Sequence, residues 1–124
     1  MKDQRPVNLD IGTMKLPITA YVSILHRVSG VALFGAVAVL LWILDASLSS
    51  KESFAALQEC MQAWWVKAIV WLVVAALAYH TVMGIRHMIM DFGIGESLAG
   101  GRRGAAIALV VAIAAIAAAG VWLL

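Results

Sequence analysis

The chain has 124 residues, of which 64% are hydrophobic and only 13% charged, with a mean hydropathy of +0.96. Soluble domains carry about a quarter charged residues, so this composition excludes an ordinary soluble domain and points to an integral membrane protein with one domain over residues 1–124. The formal net charge of +2 is small, and no basic run interleaved with aromatics marks a nucleic-acid surface.

Residues 1–22 open the chain with a polar segment carrying Lys2, Arg5 and Lys15, extended over its first 16 residues. A first membrane helix is expected at about 24–44, with Pro17 suited to a first helical turn. Its uncharged core, 28–44, is 17 residues long. Signal-peptide cores run about 7–15 residues, so the helix is expected to be retained. Asp45, Lys51, Glu52 and Glu59 then read as solvated charges of a loop. Cys60 is the single cysteine, which rules out an intrachain disulfide.

A second membrane helix is expected at about 64–90, with Gly93 as a left-handed cap after its end. A third follows at 104–124, a stretch of 21 uncharged residues. It has nine alanines between Ala105 and Ala119, then Gly120. Small residues permit close helix packing in lipid, so it is a packing helix without chemistry. Each span approaches the roughly 20 residues that cross a bilayer core. The fold class is therefore all-α with three transmembrane helices. Arg27, Arg86, Arg102 and Arg103 join the N-terminal basic residues on one side, leaving Lys51 and Lys67 on the other. The positive-inside rule then places the N-terminus in the cytoplasm and the C-terminus across the membrane. Trp42, Trp64, Trp65 and Trp122 gather near the far interface.

Between Lys67 and Arg86 the one ionisable group that can charge near neutral pH is His80. Ionisable groups are costly in lipid and usually functional there. His80, Gly84, His87 and Asp91 follow the spacing of one helix face. Imidazole is a common metal ligand, so His80 either makes an interhelical hydrogen bond or binds a haem iron. Gly84 either leaves room for a flat macrocycle or packs helices. His87 is a candidate for a haem propionate or for simple hydration. Asp91 could feed protons to a site or pair with an arginine. On the first helix, Ser23 and Arg27 share a face four residues apart. A hydroxyl and a guanidinium suit an oxygen-rich ligand such as a quinone, whose reduction builds negative charge on oxygen. His26 and Arg27 lie in nearly the same layer as His80. His87 is about 10 Å from His80 along one helix, too far to share an iron with it; His26 is geometrically possible as a second ligand but sits nearer the interface, so a ligand from another chain is the simpler account.

Three stretches resemble a known family. Arg5-Pro-Val-Asn-Leu-Asp10, Ser23-Ile-Leu-His-Arg-Val-Ser-Gly30 and Ala78-Tyr-His-Thr-Val-Met-Gly-Ile-Arg-His-Met-Ile-Met-Asp-Phe-Gly93 are similar to the cytochrome b556 membrane-anchor subunits of succinate dehydrogenase. The first two helices carry the resemblance; the third matches in hydrophobicity alone. It implies one of two small anchors for a flavoprotein and an iron–sulfur subunit in a bacterial inner membrane. Succinate is oxidised on the flavoprotein, and electrons pass through iron–sulfur clusters to ubiquinone. One haem b lies between the anchors, with a histidine from each. His80 is then this chain's axial ligand, and Ser23 and Arg27 fall at quinone-site positions. His26, Arg27 and His87 become candidate propionate contacts, and Asp91 a candidate for proton delivery. This chain has no nucleotide-binding loop or cysteine cluster, so it contributes to the quinone site and not to succinate oxidation. Rival readings are a quinol:fumarate reductase anchor and a purely structural anchor without haem.

Overall fold

The computed structural model describes Leu9, Asp10, Gly12 and residues 14–124. Lys2, Arg5 and most of the 5–10 block lie outside the described residues. The described chain is built from four helices: α1 (Ile18–Ser49), α2 (Lys51–Cys60), α3 (Trp64–Asp91) and α4 (Leu98–Leu123). Helices α1, α3 and α4 are long and apolar enough to cross a membrane, so the chain is a multi-pass membrane protein.

The boundaries differ from the sequence expectation at both ends of α1, over α2 and at the start of α4, each for a physical reason. Helix α1 starts directly after Pro17, which stands at the N-cap in extended conformation rather than inside the first turn. It also continues five residues past the expected end at 44, to Ser49. Its serines near that end bond back onto the helix, Ser47 Oγ to the Leu44 carbonyl and Ser49 Oγ to that of Asp45. Of the charges read as a loop, Asp45 is on α1, and Lys51, Glu52 and Glu59 are on α2. Ser50 caps this helix by accepting from the Ser53 backbone N–H at 2.9 Å, and Glu52 sits in its first turn. Both features favour a helix N-terminus. Ser53 Oγ donates to the Ala46 carbonyl at 2.6 Å and folds α2 back against α1.

Helix α4 begins at Leu98, six residues before 104, because Ser97 accepts from the Gly100 N–H at 3.0 Å. Arg102 and Arg103 are therefore on the opening turns of α4, not in a loop. The expected cap holds at the end of α3. Gly93 takes φ +82° and its N–H donates to the Met90 carbonyl at 2.8 Å.

Three helices meet around Met83, which is fully buried with Val22 of α1 and Ala105, Ala108 and Ala112 of α4. Gly101, Ala105, Ala108, Ala112 and Gly120 form the buried stripe of α4. This is the close packing expected of its small residues. Hydrogen bonds between helices tie the bundle, two of them from aromatic side chains. Tyr79 Oη donates to the Val22 carbonyl at 2.9 Å, and Trp71 Nε1 donates to the Ile116 carbonyl at 2.9 Å. Large side chains such as Phe34 of α1 remain 89% exposed. A transmembrane helix faces lipid or another protein, so these faces are open to both.

Candidate functional site

Helix α1 turns Val22, Ser29, Leu33 and Ala36 inward, and these are its buried residues. His26 lies on the same side, between Val22 and Ser29 in helical register. Helix α3 brings His80 opposite. The two imidazoles stack, with ring centroids 4.2 Å apart and planes within 10°. The His87 ring is 5.3 Å from that of His26 and tilted by 55°. All three histidines of the chain therefore form one row in which His26 is the middle ring.

The surroundings of His80 are specific. Its Nδ1 lies 3.1 Å from Ser29 Oγ and 3.2 Å from the His26 carbonyl oxygen. Ser29 Oγ also donates to that carbonyl at 2.7 Å. Among the described residues no partner engages His80 Nε2, and the atom is not sealed off by the chain. Gly30 abuts the ring, where a Cβ would come within 3.1 Å of Cε1. The ring is thus fixed by α1 on one edge and open at Nε2.

Gly84 faces the His26 ring. A Cβ there would stand 3.6 Å from His26 Nε2, at ordinary contact distance. That His26 nitrogen is buried and, among the described residues, has no hydrogen-bond partner. Buried polar atoms are nearly always satisfied, so this is an orphan that a ligand or partner group would relieve.

Stacking also limits the coordination chemistry. Two axial imidazoles must aim ring nitrogens at one iron from opposite sides, along a line lying in both ring planes. Parallel rings face to face at 4.2 Å cannot do this. No group of three or more His, Cys, Asp or Glu side chains among the described residues is arranged to hold a metal ion. The site fits a haem in one respect: the His80 ring is held at Nδ1 while no described residue engages Nε2.

Ser23 is half-buried and Arg27 exposed. At about 100° per residue, Ser23 stands roughly 100–120° around the helix from the Val22 and Ser29 row, and Arg27 roughly 140–160°, near its far side. Among the described residues neither side chain has a hydrogen bond or ion pair. Asp91 ends α3, exposed, one turn beyond His87. Arg86, read from sequence as a topology charge, reaches α4 instead. It donates from Nη2 to the Gly101 carbonyl at 3.1 Å, while its Nε is buried without a partner. Ser29 was the residue sequence reasoning missed. It stands in the His-Arg-x-Ser-Gly block, but no spacing rule links it to a residue 51 positions away.

Comparison with known proteins agrees with this architecture. The family model described as succinate dehydrogenase/fumarate reductase transmembrane subunit matches residues 1–119. The chain is 40% identical over 124 residues to the succinate dehydrogenase cytochrome b556 subunit of Coxiella burnetii, covering 99% of each. It is 36% identical over 96 residues to the protein of that name from Rickettsia felis, covering 77% of this chain and 74% of the relative. With that of Paracoccus denitrificans the identity is 31% over 94 residues, covering 76% and 72%.

Proposed function

The chain belongs to the succinate dehydrogenase/fumarate reductase transmembrane subunit family, and we propose that it anchors succinate dehydrogenase, shares a haem b with a second anchor, and helps form the ubiquinone-reduction site. The observation that carries this reading is the state of His80. Its Nδ1 is occupied from α1, while among the described residues nothing engages Nε2. Metal-bound histidines characteristically have the second ring nitrogen held by a carbonyl or other oxygen group.

When bound, the haem supplies a one-electron store beside the quinone site. Each side chain has its own task. His80 offers Nε2 to the iron. Gly30 and the stacked His26 ring hold the imidazole in place from two sides. His26 and His87 continue the row away from His80, and Arg27 follows His26 in the chain; these three supply the donors and positive charge that propionate oxygens need. Ser23 donates to one quinone carbonyl oxygen. Arg27 stabilises negative charge on the reduced ring, since a preorganised cation acts where charge develops. Arg27 follows His26 directly, so quinone and haem sites are neighbours within a turn of α1. Asp91, exposed at the end of α3, delivers protons from the aqueous face. The N-terminus is cytoplasmic, the C-terminus periplasmic, and the membrane the bacterial inner membrane. Iron–sulfur and flavoprotein subunits complete the enzyme, and succinate is oxidised there.

The test is a reduced-minus-oxidised optical spectrum of membranes coexpressing all subunits, comparing wild type with His80→Leu. The reading expects a b-type α-band in wild type that is lost or displaced in the variant. An unchanged band removes His80 as the ligand, and no band in wild type leaves a structural anchor without haem.

A further inference from the structure

We propose that Ser29 is a positioning residue for His80: its hydroxyl, with the His26 carbonyl, fixes the imidazole proton on Nδ1 and so sets the donor strength of Nε2. The inference rests on the reading of His80 as an axial ligand and adds a residue that reading does not use.

The argument begins with the number of protons available. A backbone carbonyl has none. The single hydroxyl proton of Ser29 is directed at the His26 carbonyl, 2.7 Å away. Both oxygens then present lone pairs to His80 Nδ1, at 3.1 and 3.2 Å. A bare Nδ1 would face the carbonyl lone pair to lone pair. A protonated Nδ1 donates to both oxygens. Neutral imidazole carries one ring proton, so Nε2 is left bare, as an iron ligand must be.

Ser29 is 8% exposed, so water does not compete for its hydroxyl. The plainer account is that a serine inside a membrane helix bonds back to its own helix three residues earlier. Ser29 does so, but that bond by itself requires no ring at 3.1 Å. Here it has a second effect, because it turns the oxygen lone pairs toward His80. Hydrogen-bond acceptance from the far nitrogen of a metal-bound histidine raises its basicity. A more basic ligand favours ferric over ferrous iron, so Ser29 lowers the haem potential.

The experiment compares assembled complexes with wild-type, Ser29→Ala, Ser29→Thr and His80→Leu chains in membranes. The readouts are the haem midpoint potential, titrated on the α-band, and the g-values of the ferric haem by low-temperature electron paramagnetic resonance. Outer-shell partners of a metal ligand typically matter tenfold or more. Because the His26 carbonyl remains as an acceptor, Ser29→Ala is expected to keep its haem. It should shift the ferric-to-ferrous ratio at fixed potential by several-fold up to about tenfold, the upper limit being a rise of about 59 mV for one electron. Ser29→Thr, which keeps the hydroxyl, should return both readouts to wild type.

If His80→Leu loses or displaces the band while Ser29→Ala shows wild-type potential and g-values, the Ser29 role is overturned and the ligand reading stands. If His80→Leu leaves the band unchanged, both fall together. Should Ser29→Ala fail to assemble, Ser29→Cys carries the test with a weaker acceptor of similar size. A rise in potential then supports the proposal, and a wild-type potential overturns it.

Discussion

Adding one methyl group at Gly30 should loosen the haem, while the same change at Gly84 should not. A Cβ at Gly30 would lie 3.1 Å from His80 Cε1, closer than an ordinary contact. The ring must recede by a few tenths of an ångström. Its Nδ1 bonds are already 3.1 and 3.2 Å long, and the His26 stack limits where it can go. Overpacking of this kind costs about 1–3 kcal/mol. At about 1.4 kcal/mol per factor of ten, that is roughly a 5- to 150-fold loss in haem affinity. At Gly84 the new Cβ would sit 3.6 Å from His26 Nε2, so the packing cost should be close to zero. Alanine is favoured over glycine by about 1 kcal/mol inside a helix. That gain is common to both sites, so the difference between the variants isolates packing. The assay is haem retained per assembled complex as a haem-scavenging protein is titrated in. Equal retention in the two variants, or greater loss from Gly84→Ala, would refute the geometry on which the His80 site is built.

Ser23→Ala and Arg27→Leu should each lower succinate–ubiquinone activity, on the order of a hundredfold for a lost charge-stabilising donor. Succinate oxidation measured with a soluble dye should be unaffected, and a parallel fall in both activities would count against a quinone-site role. Tyr79→Phe removes the bond to the Val22 carbonyl and should destabilise the α1–α3 pairing by about 0.5–1.5 kcal/mol, read as a lower thermal midpoint of the purified complex. Arg86→Met keeps the apolar stem but removes the bond to Gly101. A hydrogen bond from a charged donor is worth about 1.5–3 kcal/mol, so the variant chain should be less abundant in membranes under otherwise equal expression; wild-type abundance would mean the contact contributes little.

The parts of this molecule that depend on composition along a helix were legible in the sequence. The three spans, the left-handed Gly93 and the small-residue stripe of α4 follow from apolar length, backbone conformation and side-chain size. Helix α2 was hidden because its charges resemble a loop when only hydropathy is weighed. Its signal was the serine cap at Ser50 with Glu52 in the first turn. The early start of α4 was hidden by the same habit, since Arg102 and Arg103 break an uncharged run without breaking a helix. At the site, placing His26 and His80 in nearly one layer was within reach of rise-per-residue arithmetic. The stacking of their rings, the turn of Ser29 toward Nδ1 and the reach of Arg86 to α4 were not. They depend on how two helices are rotated against each other, and that rotation is set by tertiary packing around Met83 and the alanines of α4.

The most direct test of the central claim is a cryo-electron microscopy map of the assembled complex in its native lipid. The account predicts haem density with iron at His80 Nε2, Nδ1 still held by Ser29 and the His26 carbonyl, and the opposite axial ligand from another chain. Iron bound to a different residue of this chain, or a fully assembled complex with no haem density beside His80, would contradict it.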